Sequence, residues 1–219
     1  MESLRHERER GVRLRVLRKR GSIHTRVADV SAAGLRRVHG HHTYAHSLAT
    51  LAGHAGFEIP PHGDERVAVL LLDGPTPVRR VDAIVAQSHR PHAVLLGTVR
   101  DVEHPDVTTV TQSPDAARAD RFAQLAASTD APWVLVADPE GDLDLDELAD
   151  LAVARRWTPA DVIGTAAGAV SAHRYVDRVA PGAALVRREL VAAHGWDDTD
   201  ASSQGLLAAL GATFYAGRA

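Results

Sequence analysis

The chain has 219 residues, a formal net charge of −3 and 45% apolar residues. This length suits one large domain, or a domain with an appendage, and the composition excludes a disordered chain. The acidic balance excludes a nucleic-acid binder that relies on bulk positive charge. No apolar run approaches the 18 residues of a membrane span and the N-terminus is charged, so we expect no transmembrane segment and a cytoplasmic location.

Missing residue types exclude further chemistry. There is no Cys, which rules out thiol nucleophiles, disulfides, Cys-zinc sites and iron–sulfur clusters. The single Lys is Lys19, so the sequence holds no phosphate-loop Gly-Lys-Ser/Thr motif, and Schiff-base chemistry is disfavoured. Carboxylates, arginines and a bound metal ion are left to carry any reaction.

The N-terminal region differs from the rest of the chain. Residues 1–20 hold eight Arg or Lys against three Glu. This basic arm either contacts an anionic partner or is a solvated strand or helix on a neighbouring surface. Residues 31–56 are predicted to be helical, and residues 57–65, which contain Pro-Pro and Gly, are predicted to be a linker. We therefore place an N-terminal extension at residues 1–62 and the main domain at residues 63–219.

From Val67 onward, strand and helix signals alternate. Apolar runs predict strands, and residues 77–88 fit an amphipathic helix. Ser113 and Pro114 predict the start of another helix, and Asp144 with Glu147 resembles a capping box. The predicted strands are 67–72, 93–96, 107–110, 133–137 and the stretch around 213–215.

This alternation predicts an α/β fold with a mostly parallel central sheet covered on both faces. Ligands of such sheets bind at the carboxyl ends of the strands. The residues that follow three of the predicted strands there are Asp73, Gly97 and Asp138, and we expect them to line a binding site.

The loop from Asp138 to Asp142 is acidic and follows an apolar strand. Asp138 and Glu140 offer hard oxygen ligands at alternate positions, which suit Mg²⁺ or Mn²⁺ carrying a diphosphate. Acidic loops before helices also serve simply to cap the helix and complement its dipole, and both interpretations stay open.

Several motifs occur in an order that resembles the family 2 glycosyltransferases of GT-A fold. The opening strand and helix end in Val85-Ala86-Gln87-Ser88, and a later strand ends in Asp138-Pro139-Glu140. The blocks 160–164, 173–177, 185–190 and 195–196 are similar to a subgroup related to bacterial spore-coat-type glycosyltransferases. The resemblance covers roughly residues 66–216.

The resemblance implies a three-layer GT-A-like sandwich that transfers a sugar from a nucleoside-diphosphate donor to a hydroxyl of a glycan or another acceptor. It implies that Asp73, Gly97 and Asp138 contact the nucleotide sugar, and that Asp138 and Glu140 hold the divalent metal. The family's C-terminal general base aligns with Asp200, which is also a natural helix N-cap, and Asp197 and Asp198 are reserves.

The region around His41 to His46 resembles the tail of a GT-B-type module often joined to this subgroup. Residues 1–56 are accordingly expected to dock on a partner glycosyltransferase.

The chain also departs from the family pattern. Gly97 stands where acidic residues usually contact the nucleobase or ribose, and the aspartate run is thinned by Pro139. The alternative function is therefore a catalytically degenerate GT-A-like module that binds a glycan or nucleotide, or that supports a partner glycosyltransferase.

Two further groups of residues keep both a functional and a structural interpretation. Four histidines lie within residues 39–46, but no third ligand is fixed for a zinc ion, and a pH-sensitive surface patch is the favoured alternative. Four arginines either steady a diphosphate or form a solvated face; they are Arg174, Arg178, Arg187 and Arg188.

Overall fold

The structure is a computed structural model, and it describes residues 33–35, 37–39, 43–58, 65–74, 77–99, 103–137, 144–166, 173–197 and 201–218. The chain divides into two units, Met1–Thr43 and Tyr44–Ala219. The second unit contains the elements described below. The predicted boundary near residue 62 falls in a stretch outside the described residues and stays a prediction.

The second unit is a mixed α/β structure. Its helices are α1 (Tyr44–His54), α2 (Pro77–Val85), α3 (Arg118–Ala127), α4 (Glu147–Arg155), α5 (Arg188–His194) and α6 (Ala201–Ala209). Its strands are β1 (Val67–Leu72), β2 (Ala93–Thr98), β3 (Thr108–Thr111), β4 (Trp133–Ala137), β5 (Val162–Ala166), β6 (Arg174–Val176), β7 (Val179–Arg187) and β8 (Phe214–Arg218).

The eight strands form one sheet in the order β3-β2-β1-β4-β7-β5-β8-β6. Strands β1 to β4 pair in parallel, and β5 and β8 pair in parallel with each other. Strand β7 is antiparallel to β4 and β5, and β6 is antiparallel to β8. Six strands therefore share one direction, and the predicted mostly parallel sheet is confirmed.

Helices cover both faces of the sheet because its central strands are apolar on both sides. In β1, Leu70 faces a core that α3, α5 and α6 complete, whereas Val69 and Leu71 face a core that α2 and α4 complete. All three side chains are at most 1% exposed. Burying a Leu or Val of this kind contributes about 2 kcal/mol, so the continuous apolar run specifies a central strand.

The start of α3 differs from the prediction. The helix begins at Arg118, and Ala117 is its N-cap without a side-chain hydrogen bond. Ser113 instead closes a local turn, in which its hydroxyl accepts from the Asp115 amide and its carbonyl accepts from the Ala116 amide. The predicted helix start at Ser113 is wrong because this turn satisfies the same donors before the helix begins.

Candidate functional site

The carboxyl ends of the parallel strands meet at one edge of the sheet, which we call the carboxyl edge. Leu72 of β1 pairs with Gly97 of β2, so Asp73, the next residue, lies beside Gly97. The Asp73 amide donates to the Gly97 carbonyl over 2.8 Å, and the Thr98 hydroxyl donates to Asp73 Oδ2 over 3.1 Å. Thr98 is 1% exposed, so a buried hydroxyl orients the half-buried Asp73 carboxylate.

A network from β3 and α3 completes this corner. The Gln112 side chain donates to the Arg121 carbonyl over 2.7 Å and accepts from Arg121 Nε over 2.8 Å. Arg121 Nη2 lies 3.4 Å from the Gly97 carbonyl oxygen, which also accepts from Asp73. Hydrogen bonds to the Gly97 carbonyl therefore link Arg121 of α3 to the backbone amide of Asp73, whose carboxylate accepts separately from Thr98.

The close packing around position 97 leaves room only for a glycine. A Cβ on Gly97 would lie 2.2 Å from Gln112 Oε1 and 2.7 Å from its Nε2. The amide of Gln112, which is 5% exposed, thus occupies the volume that a side chain at position 97 would need. Gln112 and Arg121 were not predicted from the sequence, and the only signal for them was a Gly near the end of a strand of larger residues.

Two predicted metal ligands, Asp138 and Glu140, lie outside the described residues, so their geometry stays a prediction. The preceding strand, β4, is described to Ala137, which pairs with Leu71 of β1. The chain therefore leaves β4 for the acidic loop from the strand next to the one that carries Asp73. Among the residues that the structure describes, no three His, Asp or Glu side chains are grouped to hold a metal ion.

Gln87, which the resemblance placed at a helix end, has a structural role. Its side chain is 6% exposed, donates to the Asp144 carbonyl over 2.6 Å and accepts from the Leu148 amide over 3.1 Å. It thereby caps the first turn of α4. Glu147 supplies half of the predicted capping box, since its carboxylate accepts from the Asp144 amide. The downstream side of the acidic loop is fastened to the end of α2.

The predicted base, Asp200, also lies outside the described residues, but both flanks of its segment are anchored. On one side, the amide of Asp197 donates to Ser203 Oγ over 3.1 Å, and its carboxylate lies 3.8 Å from Arg118 Nε. On the other side, Gln204 of α6 accepts from the Val179 amide and donates to the Val179 carbonyl. Asp197, a reserve candidate, is thus paired with an arginine at the start of α3.

The opposite edge of the sheet holds structural ion pairs. Arg187 Nε donates to Asp161 Oδ1 over 2.7 Å, and its guanidinium lies over the Trp133 ring. Glu65 accepts from two nitrogens of Arg156, each over 2.8 Å. Arg187 is the last residue of β7, which runs antiparallel to β4 and therefore ends at this opposite edge. Arg187 is thus not placed to hold a diphosphate at the carboxyl edge.

Asp161 has a shifted pKa at this opposite edge. Burial by itself favours the neutral carboxyl group. Hydrogen bonds from the Thr213 amide, from Arg187 and from the Thr213 hydroxyl outweigh burial and lower the pKa of Asp161 below its ordinary value. The carboxylate therefore fastens the start of β5 to the residue before β8 and to the end of β7.

The fold and the site define a mixed α/β protein with a mainly parallel sheet and a polar, hydrogen-bonded carboxyl edge. No family model matches the sequence. No curated protein matches it either. Among solved structures, the crystal structure of S. aureus TarS 1-349 aligns with a TM-score of 0.46 and 10% sequence identity. The alignment covers 64% of this chain and 53% of that chain, so it spans about half of TarS 1-349.

None of the helices in the described ranges is long and apolar enough to cross a membrane.

Proposed function

We propose that this protein transfers a sugar from a nucleoside-diphosphate donor to a hydroxyl group of a glycan or other acceptor, as the sequence resemblance to family 2 glycosyltransferases implies. The observation that carries the proposal is the arrangement of Asp73, Thr98 and Gly97 at the carboxyl edge. A carboxylate held by a buried hydroxyl is suited to accept hydrogen bonds from a nucleobase or ribose. It lies where parallel α/β sheets bind ligands.

In this proposal Asp138 and Glu140 hold Mg²⁺ or Mn²⁺. The metal supplies charge neutralisation for the departing nucleoside diphosphate. Asp138 follows β4, the neighbour of β1 in the sheet, so the diphosphate and the nucleoside part of one donor fit along adjacent strand ends. The proposed subgroup related to spore-coat-type glycosyltransferases rests on the sequence motifs alone.

Asp200 is the proposed base. It accepts the proton of the acceptor hydroxyl as the hydroxyl oxygen attacks the anomeric carbon. On the two sides of this segment, the Asp197 amide donates to Ser203 and Gln204 of α6 holds Val179. Asp197, whose carboxylate lies 3.8 Å from Arg118 Nε, stays a reserve candidate for the base.

Donor binding tests the proposal first. Isothermal titration of the wild type with UDP, GDP and dTDP should show binding to at least one of them with Mn²⁺ present and at least about tenfold weaker binding without it. The Asp138→Asn variant should lose the part of the nucleotide affinity that depends on the metal. Asp106→Asn, which changes an exposed Asp before β3, is the matched control and should bind as the wild type does.

Transfer or donor hydrolysis is measured next. Asp200→Asn should keep donor binding and lose transfer, because the base acts after the donor is bound. Binding of a nucleotide without any transfer or hydrolysis would favour the degenerate module that supports a partner glycosyltransferase. In that case docking through residues 1–56 becomes the function to test. If no nucleotide binds when the metal is present, the proposed glycosyltransferase activity is refuted.

A further inference from the structure

A group of aromatic side chains lies at the far end of the sheet from β3, away from Asp73. It consists of Trp157, His173, Tyr175 and Tyr215, which we call the aromatic platform. The Trp157 and His173 rings are stacked with centroids 5.7 Å apart, and Tyr175 meets Tyr215 edge to face at 5.5 Å. The whole chain has only nine Phe, Trp and Tyr residues. Three of these nine, Trp157, Tyr175 and Tyr215, belong to the platform.

The topology explains why the platform is exposed. Tyr175 of β6 pairs directly with Tyr215 of β8, so both side chains lie on the sheet face that α4 covers. Helix α4 packs closely over Gly217 of β8, where a Cβ would lie 3.0 Å from the Ala154 Cβ. Strand β6 is the last strand of the sheet. Tyr175, at this edge, is 55% exposed, and Trp157 is 38% exposed.

The platform is held in place by polar contacts. Thr158 donates its hydroxyl hydrogen to the Tyr175 hydroxyl over 2.9 Å, and the Trp157 indole N–H donates to the Val153 carbonyl. His173 has a φ of +63°, and it is the one non-glycine residue with positive φ in the described ranges. Strain of this kind persists only where the surroundings enforce it, and it is concentrated at functional sites.

We propose that the aromatic platform binds the sugar rings of a neutral glycan. A pyranose presents C–H groups on its faces and hydroxyl groups at its rim. The exposed rings offer apolar faces, while the imidazole of His173 and the Tyr hydroxyls offer hydrogen bonds at their edges. The Tyr215 hydroxyl is protonated at neutral pH and can donate, and burial and the neighbouring Tyr175 raise its pKa further.

The slightly negative net charge of the protein disfavours nucleic acids among the ligands that stack on aromatic rings. Nucleic acids need many phosphate-neutralising side chains, and this chain has a net charge of −3. The inference rests on the proposed function in one respect, since the platform would hold the acceptor chain at a distance from the transfer site. Binding itself requires neither donor nor metal.

Tryptophan fluorescence provides a direct test, because Trp157 is the exposed indole while Trp133 and Trp196 are 7% and 1% exposed. The full chain is titrated with maltohexaose, cellohexaose and chitohexaose, without nucleotide or metal. At least one should give a saturable change. Tyr175→Ala should weaken binding at least about fivefold, and Tyr175→Phe, which keeps the ring, should stay within about twofold. Phe57→Ala, an exposed aromatic outside the platform, is the matched control.

Circular dichroism and the melting temperature confirm that each variant is folded. The inference is overturned if none of the three hexasaccharides binds, if Tyr175→Ala binds as tightly as the wild type, or if RNA or an unstructured peptide competes for the same signal. Glycan binding by a protein that binds no nucleoside diphosphate would support the platform and refute the glycosyltransferase. The two failures are therefore distinguishable.

Discussion

The amide of Asp73 donates to the carbonyl oxygen of Gly97 over 2.8 Å, which joins the ends of β1 and β2 beyond their last paired residues. The same carbonyl oxygen lies 3.4 Å from Arg121 Nη2. One backbone atom thus connects the backbone of the proposed nucleotide-contacting residue to α3, which packs on the sheet face over β1 and β2. Mutations in this corner should therefore affect both stability and ligand binding.

Gly97→Ala should destabilise the fold by about 1–3 kcal/mol, because the new Cβ displaces the Gln112 amide and breaks its hydrogen bonds to Arg121. Gly205→Ala is the matched control: no atom lies within 4 Å of its Cβ position in α6, and it should be neutral or stabilising. Urea unfolding measures both. In a Gln112→Ala background, Gly97→Ala should cost less, and equal costs in the two backgrounds would contradict the steric account.

Thr98→Val should weaken nucleotide binding about three- to tenfold while changing stability by about 1 kcal/mol, because the lost hydroxyl no longer orients Asp73 Oδ2. Thr98→Ser retains the hydroxyl and should bind more nearly as the wild type does. Calorimetric titration with the nucleotide found for the wild type measures the difference. Identical affinities of the Val and Ser variants would show that the Thr98–Asp73 contact does not serve the site.

Gln204→Ala should destabilise the protein by about 2–4 kcal/mol, because it leaves both the amide and the carbonyl of Val179 without their buried partner. Gln124→Ala removes an exposed side chain with a single 3.4 Å contact to the Thr111 carbonyl and should cost under about 0.5 kcal/mol. Chemical denaturation compares the two. If the two variants lose similar amounts of unfolding free energy, α6 is held by its apolar contacts alone.

Stability should fall in acid through Asp161. Its pKa in the folded protein is lowered, so its contribution is fully present above the ordinary value of 3.8 and is lost as the pH falls through the lowered folded value. Asp161→Asn should be less stable than the wild type at pH 7, and the gap should narrow below pH 3.8. Unfolding free energies at a series of pH values measure this. A gap that is constant with pH would exclude the carboxylate charge as its cause.

Much of the core was predictable from the sequence. Apolar runs identified β1, β2 and β4, since a strand covered on both faces leaves no position for a polar residue. Residues 77–88 were predicted to form an amphipathic helix, and Val81 and Ile84 are buried on one side of α2. Asp73 and Gly97 were predicted to lie at one edge, because residues that follow neighbouring parallel strands must do so. Local pattern and chain direction were sufficient for these.

The helix start at Ser113 was wrong for a physical reason. Cap signals are local, and a Ser-Pro-Asp stretch forms a closed turn as readily as a first helical turn. The antiparallel insertion of β7 between β4 and β5 could not be predicted either, because strand order depends on contacts between segments far apart in sequence.

The slightly negative net charge, the missing Cys and the near absence of Lys determined from the sequence alone which chemistry was left, namely that of carboxylates, of arginines and of a metal that the carboxylates bind. The Gln112–Arg121 network, the hydrogen bonds between Gln204 and Val179, and the aromatic platform were decided only by the tertiary structure. Each joins residues whose separation along the chain gives no periodic signal. Their hydrogen bonds and ring contacts form only after the sheet has brought its strand ends and edges together.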